Sequence, residues 1–350
     1  MTGSLDGNHS NQEYLLDVTK GEVDTWNFEI CEEGNPMTIG IGVLCDGGET
    51  IVLASDMRTS YKRSAAPSDR GGKQYDFPPL TIAATVAGQI SVCGAVASQM
   101  AYDLASLLAA KRKYPDELIV AQHVHRILNY ARRKQLRAAQ ECAMEAELGV
   151  SLNAWLSGKL PNAERLDQLA LRAGLSVLRR VKEDLYGKLA VIVGGFVENG
   201  IVFLRAVGAE PIEEASSPPV FVIGTGSRHA MDAMSRRGQN TDCTLARSLL
   251  HVYEALREAR LGERDTVGPA AAYVVLRAQE GMMRFPAECP LVKDWYKVYR
   301  KRSSTHTLDS SVANHQAKCL LVKHQPRAAM ILTHESIDCT AIQPSKFESH

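Results

Sequence analysis

No uninterrupted apolar run in these 350 residues approaches the ~18–20 needed to span a bilayer, so nothing here reads as a membrane span. The N-terminus, MTGSLDGNHSNQEY, lacks the basic start and the apolar stretch of a secretory signal. Cysteine is sparse and scattered, at Cys31, Cys45, Cys93, Cys142, Cys243, Cys289, Cys319 and Cys339. None forms a Cys-x-x-Cys pair, which excludes zinc-site and dithiol-redox spacing. Net charge is absent too. Forty basic residues balance forty acidic ones, leaving no global field to gather nucleic acid or a membrane surface. There is no internal repeat of fixed period. These absences point to a soluble, cytoplasmic chain with no metal, no cofactor, and cysteines buried as small apolar residues in a reducing compartment.

What is present is ordinary globular composition, 45% hydrophobic and 23% charged. It excludes a disordered, collagen-like or rod-like chain, and the length allows one large domain or two with a linker. Charge is unevenly spread. Residues 1–36 hold eight acids against one base, Lys20, so the remainder carries +7. That stretch is rich in Gly, Asn and Ser and ends in the turn-forming Glu32-Glu33-Gly34-Asn35-Pro36.

Then the pattern changes. Thr38–Cys45 and Thr50–Asp56 are β-branched runs joined by an Asp46-Gly47-Gly48 turn signal. Leu80–Ala87 is a further strand closed by Gly88. From about residue 92 the period becomes helical, with Val96, Met100, Leu104, Leu107 and Leu108 on one face. Helices are expected at about 116–147 and 162–183, the latter with Leu166, Leu169, Ala173, Leu175 and Leu178 as its apolar positions. Strands return at Leu189–Phe196, Ile201–Val207 and Val220–Ile223, then helices at about 227–237 and 244–261, and a strand at Ala270–Leu276. Beyond residue 280 only short apolar pieces remain, such as Cys319–Val322 and Ala329–Leu332. The order strands, helices, strands, helices, strand, with hairpins inside each block, predicts two mainly antiparallel sheets covered by helices, an α+β fold.

The run Thr38-Ile39-Gly40-Ile41-Gly42-Val43, followed by Ser55-Asp56-Met57-Arg58-Thr59, resembles the start of a mature proteasome β-type subunit or bacterial proteasome-like peptidase. These are N-terminal-nucleophile hydrolases. Gly71-Gly72-Lys73 before the strand ending at Gly88, Val191–Phe196 as a central strand, Ile223-Gly224-Thr225-Gly226-Ser227, and Arg264-Asp265-Thr266-Val267-Gly268 continue the resemblance over about 38–110 and 188–277. The resemblance implies a four-layer αββα sandwich of the N-terminal-nucleophile hydrolase type. It implies a threonine-type endopeptidase in a self-compartmentalised homo-oligomeric ring, acting on unfolded polypeptide, with an ATPase activator as a further partner. Residues 1–37 become a leader or upstream extension. Residues 38–280 become the domain, with a helical insertion at about 111–186, and 281–350 a C-terminal extension.

Carried onto this sequence, the family's nucleophile falls on Thr38. A threonine hydroxyl is a weak nucleophile and needs a base within reach, and a chain-terminal threonine supplies its own α-amine. Lys73 would disfavour protonation of that amine, Asp56 would hold Lys73, and the Gly88 amide would receive the oxyanion. Thr225 takes the place of a family serine that assists the amine, and Asp265 orients it. Read singly, each has a plainer explanation. Thr38 is a β-former, Asp56 and Arg58 form a surface pair, Lys73 is solvated, Gly224-Thr225-Gly226 is a turn, and Asp265 caps one.

The α-amine is usable only when free, and 37 residues precede Thr38. Either they are cleaved off, with Met37 where family precursors carry glycine, or Met37 is the true start. Two rival readings remain. One is an inactive structural subunit, distinguished by the N-terminal mass, and the other an amidohydrolase of the same fold, distinguished by activity on small amides. His123 and His125 read as surface or packing residues. The basic, aromatic Trp295–Arg302 segment reads as an exposed amphipathic stretch or subunit contact, and not as a nucleic-acid site.

Overall fold

The structure is a computed structural model that describes residues 38–58, 72–158, 165–214, 219–264 and 266–285. Residues 1–37, Asp265, the 295–302 segment and the apolar pieces beyond 318 lie outside the described residues. The first block holds β1 (Ile39–Cys45), β2 (Thr50–Asp56), β3 (Gln74–Asp76) and β4 (Thr81–Val86). Four helices follow: α1 (Ile90–Lys113), α2 (Ala121–Leu148), α3 (Leu152–Ser157) and α4 (Gln168–Gly187). Then come β5 (Ala190–Val197), β6 (Gly200–Val207), β7 (Glu213–Glu214) and β8 (Val220–Gly224). The chain continues through α5 (Ser227–Arg236), α6 (Leu245–Gly262), β9 (Ala271–Arg277) and β10 (Gly281–Phe285).

The strands form two five-stranded antiparallel sheets, ordered β10-β9-β2-β1-β8 and β3-β4-β5-β6-β7. In β1 and β2 every residue is buried, because both faces of the strands are covered. Ile39, Ile41, Val43, Val52 and Ala54 meet Ala230, Leu249, Val252 and Leu256 of α5 and α6. Ile82, Ala84, Val86, Val191 and Val193 meet Val96, Met100, Val124 and Leu128 of α1 and α2. The alternate residues, Ile51, Leu53, Ile223, Val274, Ala83, Ile192 and Phe203, pack one sheet on the other. Strand side chains alternate between faces, so each strand serves two apolar layers. Gly42 permits this closeness: a Cβ there would come 2.9 Å from both Ile192 and Phe203.

α1 is, among the described residues, the one helix long and apolar enough to cross a membrane. Its Cys93, Val96, Met100 and Leu104 are core residues against the second sheet.

Several details differ from the sequence reading: α2 starts at Ala121 and not near 116, and the short α3 was not expected. The helix expected at 162–183 starts at Gln168 and runs to Gly187, because the Asp167 side chain accepts from Ala170 N–H at 2.6 Å and caps it there. Its inward positions are Gly174 and Val177, while Leu169 is 76% exposed and Leu175 58% exposed. α4 packs along α2 and the short α3, around Met144, Leu152, Trp155 and Val177, and only Tyr186 near its C-terminal end reaches the core of the second sheet. Finally, β10 pairs with β9 along Gly281–Phe285, so the sheet continues past residue 280.

Candidate active site

The start of β1, the end of β2 and the residue before β3 converge on one buried polar cluster. Thr38 is 2% exposed, Asp56 1% and Lys73 4%. The Thr38 hydroxyl donates to Asp56 Oδ1 at 2.7 Å and accepts from the Lys73 ammonium. Lys73 Nζ also donates to Asp56 Oδ1, at 2.8 Å. Burying two charges is unfavourable unless they are paired and their remaining valences are filled. Here the carboxylate is fully engaged. Oδ1 accepts in addition from Ile39 N–H at 3.0 Å, and Oδ2 from Arg58 N–H at 3.2 Å and Gly268 N–H at 3.0 Å. Charge-assisted bonds of this kind are the stronger class.

The backbone explains why these side chains meet. β1 and β2 run antiparallel with Gly40 opposite Ser55, which brings the start of β1 beside the end of β2. Lys73 lies just before β3 at the second sheet's edge, where its carbonyl accepts from Val86 N–H at 2.9 Å. The turn after α6 approaches from the other side. The Arg58 guanidinium donates to Arg264 O at 3.0 Å, and Gly268 N–H reaches Asp56.

Thr38 is clamped at its backbone by the turn after β8. Its N–H donates to Thr225 Oγ1 at 3.2 Å, and Thr225 N–H donates back to Thr38 O at 2.9 Å. Gly224 has φ +96°, and a Cβ on it would fall 2.0 Å from Thr38 O and 3.1 Å from Ala87 Cβ. The end of β4 therefore lies against this same turn. Gly88 follows Ala87, one residue before the Gln89 N-cap of α1, with φ +154°, and a Cβ on it would strike Lys188 O at 2.2 Å. Among the described residues the Gly88 N–H donates to no protein acceptor. Cys93 packs against Gly88, and burial pushes its thiol up to about 12, a neutral apolar neighbour rather than a competing nucleophile.

Of the side chains singled out in the sequence, Thr38, Asp56, Lys73 and Thr225 are joined by direct hydrogen bonds. Gly88 is adjacent through Ala87 and Gly224, and Asp265 lies outside the described residues. The donors that sequence reasoning missed are backbone groups, of Ile39, Arg58 and Gly268, which carry no side-chain signal. His125 stands 3.2 Å from Glu214 at the surface, and the His123 ring accepts from Val120 N–H, away from the cluster. Among the described residues no group of three or more His, Cys, Asp or Glu is placed to hold a metal ion.

Chemically, the cluster presents a hydroxyl whose lone pair faces an ammonium and whose proton faces a carboxylate. That pairing can stabilise an alkoxide and can accept or return its proton. No family model matches the sequence, and no curated protein matches it.

Proposed function

We propose that the chain is a threonine-type endopeptidase with a four-layer αββα sandwich of the N-terminal-nucleophile hydrolase kind. It works as a subunit of a homo-oligomeric, proteasome-like assembly on unfolded polypeptide. The observation that carries this reading is the Thr38 hydroxyl set between Asp56 and Lys73, with the Thr38 nitrogen on Thr225 Oγ1. Two facing sheets between helix pairs, with Thr38 at the start of one strand, support the fold part.

In this reading the residues before Thr38 are removed, which turns its peptide nitrogen into an α-amine. Thr38 Oγ attacks the acyl carbon of the substrate, and the hydroxyl proton passes to that amine. The Oγ–C bond forms, the C–N bond breaks, and the leaving amine takes the proton. Water then cleaves the ester and regenerates the hydroxyl. Lys73 stabilises the alkoxide, Asp56 fixes Lys73, and Thr225 orients the amine. The Gly88 N–H, at the N-terminal end of α1, is the donor for the oxyanion, where the helix dipole adds to it.

The test joins two measurements on one preparation. Mass spectrometry of active particles is expected to give a chain that begins at Thr38. Thr38→Ala is expected to lower hydrolysis of fluorogenic peptides to background while the circular dichroism stays unchanged. Full activity from a chain that retains residue 1, or wild-type turnover by Thr38→Ala, defeats the reading.

A further inference from the structure

Ser55 directly precedes Asp56 on β2, and Thr85 stands opposite Gln74, which directly follows Lys73. Ser55 is 1% exposed and Thr85 0%. Among the described residues neither side-chain oxygen has a hydrogen-bond partner. A hydroxyl that leaves water without gaining a partner opposes folding, so two of them in one region call for a shared ligand.

Both residues face the layer between the sheets. Ile51 and Leu53 of β2 line that layer, and strand alternation puts Ser55 on the same side. On the other sheet Ala83 and Ala87 line it, with Thr85 between them. The row across β1, β2 and β9 at this level reads Gly40, Ser55, Ala272, so Ser55 is flanked by residues with little or no side chain. A Cβ on Gly40 would come 3.3 Å from Thr85 Cγ2. Thr85 therefore turns its methyl toward β1. At the same level the Gln74 amide crosses between the sheets, with Nε2 donating to Ala272 O at 2.9 Å.

We infer that Ser55 Oγ and Thr85 Oγ1 bind one ordered water between the two sheets, beside Ala272 and the Gln74 amide. A buried water takes about two to four polar partners, and these hydroxyls each offer a donor and an acceptor. Two neutral hydroxyls suit water and not a cation, which takes charged or several oxygen ligands. The water joins the strand that ends in Asp56 to the strand pair that begins beside Lys73. It underlies the polar cluster and is independent of whether that cluster hydrolyses amides.

The experiment has two arms. A crystal structure of the full chain, at a resolution that shows ordered water, is expected to place one water within hydrogen-bond distance of both oxygens. A map with no peak there, or with a peak touching only one of them, overturns the inference. In the second arm Ser55→Ala, Thr85→Val and the double variant are unfolded by heat. With a shared water, Thr85→Val lowers the midpoint by roughly a few degrees, and lowers it much less when Ser55 is already alanine. If Thr85→Val instead raises the midpoint, or the two effects simply add, the hydroxyls share no ligand.

Discussion

Lys73 Nζ stands 2.8 Å from Asp56 Oδ1, although Asp56 closes a strand of one sheet and Lys73 precedes a strand of the other. The side chains are 3% and 1% exposed. The pair thus bridges the two sheets at the point where Thr38 leads into β1. Its two charges satisfy one another, and removing either strands the other in the interior.

That asymmetry gives the first prediction. Lys73→Met leaves the Asp56 carboxylate with its hydroxyl and backbone donors but no countercharge, and Asp56→Asn leaves a buried ammonium. Each is expected to lower unfolding free energy by about 3–5 kcal/mol. The double variant Asp56→Asn/Lys73→Met should cost clearly less than the sum, because neither charge remains. Urea titration monitored by fluorescence reads all three. Additive losses would show that the two groups are not coupled.

The second prediction concerns Thr225. Its hydroxyl accepts from Thr38 N–H at 3.2 Å, and its own N–H holds Thr38 O. Thr225→Val keeps the backbone bond and the shape but removes the acceptor. If the Thr38 nitrogen acts in the reaction, kcat should fall on the order of 10²-fold with KM little changed, since a mispositioned base costs about that much. Steady-state kinetics on a fluorogenic peptide gives the split. Unchanged kcat would remove Thr225 from the machinery.

Much of the fold was legible because the strands are dense in β-branched residues and the turns in glycine and aspartate. Thr38–Asp56 illustrates it: two apolar runs around Asp46-Gly47-Gly48 become β1 and β2 in register. The register of α4 was not legible. A helix that packs mostly on other helices need not bury its most apolar stripe, and Gly174 against Trp155 lies inside while Leu169 lies outside. α3 went unseen because six residues carry too little period, and only the Ser151 cap, accepting from Ala154 N–H at 3.2 Å, marks it. At the site, side chains with a chemical signature could be named from the sequence, whereas the Gly268 and Ile39 amides that complete the Asp56 shell could not.

The third prediction separates backbone strain from crowding. Gly47 and Gly224 both have positive φ, +68° and +96°. A Cβ on Gly47 meets nothing within 4 Å, whereas one on Gly224 falls 2.0 Å from Thr38 O. Gly47→Ala should therefore cost only about 1–2 kcal/mol, the usual cost of a left-handed non-glycine residue. Gly224→Ala should cost more and should displace Thr38, so peptidase activity is lost in it and kept in Gly47→Ala. Equal stability losses and equal activities would show that the Gly224 turn does not hold Thr38.

The last prediction is a pH dependence remote from the cluster. His251 on α6 is 2% exposed, and its Nδ1 lies 2.7 Å from Gln239 Oε1. Gln239 Nε2 in turn donates to Ser248 Oγ at 2.9 Å. Burial first, then the nearby Arg247 and Arg237 guanidiniums, lower the imidazole pKa from 6.5 to about 4, against a smaller opposing pull from Glu254. Because the folded value lies below the unfolded one, the unfolded chain binds more protons between the two. The stability tied to His251 is therefore fully present above about pH 6.5 and is lost as pH falls toward 4. The gap corresponds to about 3 kcal/mol. His251→Asn keeps a donor for Gln239 without a group that titrates there. Denaturant unfolding from pH 7 to pH 4 should show the unmutated chain losing about that much more stability than the variant. Parallel pH profiles for the two proteins would mean that His251 is protonated in the folded chain as easily as in the unfolded one.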